Sequence, residues 1–127
     1  MLSEAIYSIL SGDSDVSNNA TVHNMNAPAD TANPVVIFAI VNQDPLYTKD
    51  GAAVVVYTDL EIDIFVDGTP DMGYTIAGYV KAALDQYSGV VSGEDIDLIQ
   101  WEGTEDRRVD LDKMEYQISM GFRIRTK

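Results

Sequence analysis

The chain has 127 residues, no cysteine and a formal net charge of −13 at pH 7. This length suits one domain with a single core, and 46% hydrophobic residues is far above the content of disordered chains. The absence of cysteine excludes disulfides, thiolate metal sites and thiol nucleophiles. We therefore predict a single domain over residues 1–127 from which three classes of chemistry are missing.

The charge is unevenly distributed along the chain. Of 21 acidic residues, three lie in residues 107–127 beside six bases, and the other 18 share residues 1–106 with only Lys49 and Lys81. Affinity for nucleic acid comes mainly from Lys and Arg, so we expect DNA to be repelled, which would help it slide through a pore. The first ten residues lack a positive leader and no apolar run approaches ~20 residues, so we expect neither a signal peptide nor a membrane span.

The N-terminal quarter combines a helical pattern with a polar stretch. Apolar residues at helical spacing predict a short amphipathic helix over residues 2–10. The stretch from Ser11 to Asn33 is rich in Ser, Asn, Asp and Thr with little periodicity. We interpret it as a long surface loop with a short strand near Thr21–Met25.

Two strands are predicted in the middle of the chain. The β-branched run of residues 35–41 is typical of a central strand, and residues 53–66 alternate between apolar and polar side chains. The link between them, Asn42 to Ala52, contains turn-compatible residues and is predicted as a loop.

The C-terminal half predicts one long helix and two further strands. Apolar residues recur at helical spacing from Pro70 to Tyr87, and residues 96–101 indicate a short strand. A charged turn is predicted from Glu102 to Asp112, and residues 114–124 alternate as a strand does.

These elements predict an α+β fold in the order α-β-β-α-β-β. Since no repeated βαβ crossover is present, we expect a mainly antiparallel four-stranded sheet with two helices on its apolar face and a polar opposite face for a neighbouring subunit. The predicted core consists of Val36, Phe38, Ile62, Ile64, Ile76, Val80, Leu84, Tyr116, Ile118 and Phe122.

Few residues suggest catalysis or metal binding. His23 is the only histidine and has no partner near it in sequence, so we interpret it as a solvated loop residue. Asp59, Glu61 and Asp63 lie on one face of a predicted strand, where they form either a stripe for a hard cation or an ordinary solvated face. We predict no enzyme activity, no metal site and no cofactor.

The basic C-terminal region allows three interpretations. Arg107, Arg108, Arg123 and Arg125 form a nucleic-acid patch diluted by nearby acidic residues, ordinary surface charge, or a basic edge that meets the acidic face of another copy. The last of these gives head-to-tail association, and a closed head-to-tail set is a ring.

The chain resembles the tail-completion family of phages and gene transfer agents, the tail terminators, and more distantly the lambda-type tail terminator. The likeness runs in order along almost the whole chain. The residues that carry it are Ala27-Pro28, Pro34-Val35-Val36, Asp44-Pro45, Tyr47-Thr48, Asp50-Gly51, the strand with Asp63, Ala82-Ala83-Leu84-Asp85, Ser88-Gly89 and the turn at Arg107.

This resemblance implies a structural virion subunit that forms a ring, expected to be a hexamer, at the head-proximal end of the tail. Such a ring would end the tail tube, join it to the head connector, and let DNA pass without binding it tightly, after assembly in the bacterial host cytoplasm. The link from Asn42 to Ala52 is then a candidate for the pore or for docking the tube. The candidate contact residues are Asp44, Tyr47, Lys49, Asp59, Glu61, Asp63, Arg107, Arg108, Arg123 and Arg125.

Two other functions compete with this interpretation. One is a different neck component, a head-to-tail stopper or adaptor. The other is a divalent-cation-dependent hydrolase or a cation-binding domain that uses the acidic stripe.

Overall fold

The described part of the chain forms helices that pack on one sheet, as its helical and alternating apolar patterns favour. The computed structural model describes residues 2–27, 32–47, 51, 53–110 and 115–126, without the side chains of residues 53, 54 and 107–110. The elements are α1 (Leu2–Gly12), α2 (Ser14–Asn19), β1 (Thr21–Asn24), β2 (Val35–Tyr47), β3 (Ala53–Asp67), α3 (Asp71–Leu84), β4 (Gly89–Val91), β5 (Glu94–Asp110) and β6 (Glu115–Thr126).

The strands form a single curled sheet in the order β1-β2-β3-β6-β5-β4. Every pair is antiparallel except β1 and β2, which are parallel. The predicted fold class was therefore wrong: the described residues form a six-stranded mixed sheet with three helices, not a four-stranded antiparallel sheet with two helices in the order α-β-β-α-β-β. No helix in these residues is long and apolar enough to cross a membrane.

The polar stretch from Ser11 to Asn33, which was predicted as a long loop, contains the helix α2 and the strand β1. Asp13 begins α2, since its carboxylate accepts hydrogen bonds from the backbone N–H groups of Asp15 and Val16, each at 3.1 Å. A six-residue helix with one buried side chain, Val16, leaves too short a pattern for periodicity to reveal. The short strand predicted near Thr21 is present as β1.

Two strands are longer than their patterns predicted. β2 continues through the predicted link as far as Tyr47, and β5 continues through the predicted charged turn as far as Asp110. Most of these extensions are exposed, so no apolar alternation marks them. Residues 48–50, 52 and 111–114 lie outside the described part of the chain.

The core lies between the helices and one face of the sheet, which we call the covered face. Of the ten predicted core residues, nine are at most 1% exposed, and Tyr116 is half-buried against them. α3 lies close to the sheet at Gly73, where a Cβ atom would collide with the side chain of Ile118. Helix and sheet are thus packed without space for a larger residue at that point.

Candidate assembly surfaces

The face of the sheet away from the helices, which we call the open face, carries most of the predicted contact residues. In the β3–β6 ladder, Asp59 stands opposite Arg123, Glu61 opposite Gly121 and Asp63 opposite Ser119. Residues directly opposite in an antiparallel pair share a face, so the acidic stripe and the basic strand are neighbours within one subunit.

Both arginines of β6 have partners on this face. The Arg123 guanidinium lies 3.6 Å from the Asp59 carboxylate and 4.7 Å from the centre of the Tyr57 ring. Arg125 donates to Asp97, and this hydrogen bond is the main reason why the pKa of Arg125 is raised. The charges that were predicted to attract a second copy therefore first neutralise each other inside the subunit.

Asp63 belongs to a polar network instead of a cation stripe. Its carboxylate accepts hydrogen bonds from the Ser119 hydroxyl and, at 2.9 Å, from the Gln117 amide. Ser119 is almost fully buried, so this carboxylate satisfies a group that water cannot reach easily. Within the described residues, no three or more His, Asp or Glu side chains are grouped so as to hold a metal ion.

A groove of about 490 Å³ crosses the open face between β3 and β5. Gly103 and Gly121, opposite each other in the β5–β6 ladder, line it together with Glu61, Glu102 and Glu105. The two positions without side chains deepen the sheet surface there, and the carboxylates give the groove an acidic rim. Its chemistry is that of a surface which repels polyanions.

The end of β2 forms a second surface, which we call the β2 arm and define as residues 41–47. All seven residues are exposed, and Val41, Leu46 and Tyr47 are between 57% and 62% exposed. Asp44, one of the predicted contacts, accepts a hydrogen bond from Asn42 at 2.9 Å. Lys49, another predicted contact, lies outside the described residues.

A third surface runs along the second half of β5. The Tyr74 hydroxyl of α3 donates to Asp106 at 2.7 Å, which raises the pKa of Tyr74, and Lys81 lies 3.9 Å from the centre of the Trp101 ring. The backbones of Arg107 and Arg108 pair with β6, but their side chains are outside the described part of the structure.

Sequence reasoning did not select Val41, Leu46, Tyr74 or Trp101 as surface residues. Val41 and Trp101 end runs that were predicted as strands, and Leu46 lies in the link that was predicted as a loop. The structure shows these three side chains and that of Tyr74 to be exposed. The presence of Pro45 beside Leu46 was the available signal, because proline is confined to edge strands and bulges.

Comparisons with known proteins bear on the whole chain. Residues 4–127 match the family model described as Tail completion protein gp17. The fold is similar to a chain from the structure titled "Virion of native gene transfer agent (GTA) particle", with a TM-score of 0.74 and 22% identity, over 96% of this chain and 91% of that chain. No curated protein matches the sequence. Because the family model spans residues 4–127, the predicted resemblance is confirmed, and the chain belongs to the tail completion protein gp17 family of structural virion tail components.

Proposed function

We propose that copies of this chain assemble head to tail into a hexameric ring that ends the tail tube and joins it to the head connector, without a catalytic step. The observation that carries this proposal is the match of residues 4–127 to the tail completion family. Within this proposal the ring lies at the head-proximal end of the tail, and it forms in the cytoplasm of the bacterial host.

The β2 arm is the proposed contact with the tail tube. A strand segment whose side chains are exposed on both faces gains little from its own subunit, yet it keeps Val41, Leu46 and Tyr47 apolar. Apolar side chains of this kind contribute binding energy when a partner removes them from water. The exposed position of the arm supports a docking role.

The groove on the open face supports the passage of DNA through the ring. Glu61, Glu102 and Glu105 line it, and the chain as a whole carries a charge of −13. Carboxylates next to a phosphate backbone oppose tight binding, so DNA would move past this surface without being held.

The solution mass of the purified protein, measured by light scattering across concentration and salt, tests the ring. We expect a sixfold mass that becomes more populated as salt rises from about 0.05 M to about 0.5 M, because salt screens the repulsion between subunits of charge −13. A protein that stays monomeric under all these conditions, also with tail tube subunits added, would contradict the ring.

Cosedimentation with assembled tail tubes tests the arm. The double substitution Leu46→Ser and Tyr47→Ser is expected to abolish binding to tubes while the subunit remains folded, since both side chains are exposed. Met25→Ser is the matched control, because Met25 is 74% exposed but lies outside the arm. Equal loss in the control and the double variant would remove the arm from the proposal.

A further inference from the structure

Within the described part of the chain, a stretch of the outer edge of β5 has no strand beside it. On the outer side of β5, β4 pairs with residues 94–96, and the N–H and carbonyl of Ile99 bond to Tyr87 and Gln86. Further along, the Trp101 N–H donates to the Asp85 carboxylate at 3.0 Å. Among the described residues, no strand pairs with the outer side of β5 beyond this point.

The ladder shows which backbone groups point outward from this edge. The backbone N–H and carbonyl of Ile99 point to the outer side of β5. Those of the next residue, Gln100, which is opposite Arg123, therefore point to β6. By the two-residue period of β6, the backbone groups of Gly121 and Ser119 point to β5, as those of Arg123 do. The backbone groups of their partners Gly103 and Glu105 therefore point to β6. The backbone groups of residues 104, 106 and 108 therefore point away from the sheet.

The edge segment, which we define as Thr104–Arg108, is regular and free of proline. The register shifts of β5 fall before Gly103 and after Arg108, so the segment between them is an uninterrupted ladder. β2, which also extends beyond its pairing with β1, has a register shift next to Val41 and contains Pro45, which lacks an N–H donor. Of these two strands, β5 is therefore the better template for strand addition.

The order of residue types in the edge segment is self-complementary. The sequence Thr-Glu-Asp-Arg-Arg has a formal charge of zero, two acids against two bases, within a chain of net charge −13. In an antiparallel pair of two copies centred on Asp106, position 105, a glutamate, stands opposite position 107 of the second copy, an arginine, and the reverse holds on the other side of the two-fold axis. Edges with charges of a single sign repel each other, whereas this order attracts an antiparallel copy.

The centre of the pair brings two copies of Asp106 together, which alone would be unfavourable. Each Asp106 carboxylate, however, accepts a hydrogen bond at 2.7 Å from the hydroxyl of Tyr74 in the same subunit. Tyr74 is 46% exposed on the same side of the sheet, and so it supplies apolar surface beside the two-fold axis.

We propose that the free subunit pairs with a second copy through an antiparallel contact between their β5 edge segments, Thr104–Arg108. The contact joins two six-stranded sheets into one continuous sheet with two-fold symmetry. It differs from the head-to-tail contact of the proposed ring, and it covers the exposed edge of the subunit before assembly.

Sedimentation equilibrium of the isolated full chain measures the monomer–dimer dissociation constant and tests this contact. Thr104→Pro removes an outward N–H from each copy, and we expect the dissociation constant to rise about ten- to hundredfold. Thr104→Val keeps that N–H and loses only the hydroxyl that accepts from Trp101 at 3.1 Å, so it is expected to dimerise like the wild type.

Charge exchange provides a second test that does not depend on proline. Glu105→Arg alone is expected to weaken the dimer about tenfold or more, and the double substitution Glu105→Arg with Arg107→Glu is expected to restore it, because the exchanged order is again self-complementary. Glu102→Arg makes the same charge change outside the segment and serves as the control.

The outcomes separate this inference from the proposed ring. A chain that shows no dimer, or a dimer that Thr104→Pro and Glu105→Arg leave unchanged, overturns the edge contact. If the edge contact is overturned but the Thr104→Pro variant forms rings of sixfold mass as well as the wild type does, the proposed function stands. Dimers that respond as expected, in a protein that never forms rings, would support the edge contact and contradict the ring.

Discussion

The two faces of the sheet satisfy their side chains in different ways. On the covered face, apolar side chains such as Phe38, Ile62 and Phe122 are removed from water by the helices. On the open face, charged and polar groups pair across neighbouring strands: Asp59 with Arg123, and Asp63 with Gln117. We infer that burial of apolar side chains on the covered face accounts for most of the free energy of unfolding. The ion pairs of the open face contribute little to it.

The largest expected effect lies on the covered face. Phe122→Ala is expected to lower the free energy of unfolding by about 3–5 kcal/mol, because it removes a fully buried ring and leaves a cavity. Urea unfolding followed by circular dichroism measures this change. Tyr47→Ala, which removes an aromatic ring that is 62% exposed, is expected to change stability by less than about 0.5 kcal/mol. Similar losses for both variants would break the comparison.

The contact between α3 and the covered face gives the next effect. Gly73→Val is expected to cost about 1–3 kcal/mol, since the new side chain collides with Ile118 and Val66. Gly78 lies on the same helix with no atom within 4 Å of a Cβ built there, so Gly78→Val should be neutral within about 0.5 kcal/mol. Thermal unfolding of the two variants sharpens the distinction between a packed and an open position of one helix.

On the open face, the network around Asp63 is expected to matter most. Asp63→Ala removes the acceptor of the buried Ser119 hydroxyl and of Gln117, at a cost of about 1–3 kcal/mol. Glu61→Ala removes a carboxylate from the same strand and face and is expected to stay within about 0.5 kcal/mol. Denaturant unfolding that ranks Glu61→Ala above Asp63→Ala would show that the network has no special role.

The smallest effect concerns the pair of Asp59 and Arg123. Both side chains are about one third exposed, 34% and 37%, so a double-mutant cycle with alanine is expected to give a coupling of at most about 1 kcal/mol that falls with added salt. The cycle is measured by urea unfolding at low and high salt. A coupling above about 2 kcal/mol would mean that the open face stabilises the fold as strongly as parts of the core.

The sequence predicted the covered face much better than the outline of the sheet. Phe38, Ile62 and Phe122 stand out because alternation reports one-sided burial directly. β1 joins the sheet through a parallel contact with β2, and no local pattern encodes which distant strand lies beside another. The exposed extensions of β2 and β5 escaped prediction because strands without a buried face lack alternation.

For the candidate assembly surfaces, the sequence predicted the types of residue but not their arrangement. The acidic stripe and the basic strand were recognised from composition, but pairing of β3 with β6 brings Asp59 and Arg123 together within one subunit, and that register depends on the whole fold. The contact roles of Asp44, Tyr47, Asp59, Glu61, Asp63, Arg123 and Arg125 remain predictions. For Lys49, Arg107 and Arg108 they remain so without a described side chain.

The position of β6 in the sheet has a consequence for synthesis on the ribosome. β6 comes after all the other strands in the chain, yet it lies between β3 and β5 and bonds to both. Translation delivers the chain from its N-terminus, so the two halves of the sheet cannot join until residues 115–126 have left the exit tunnel. An unfinished chain therefore lacks the central strand, and we expect only chains translated through β6 to present the surfaces that assembly requires.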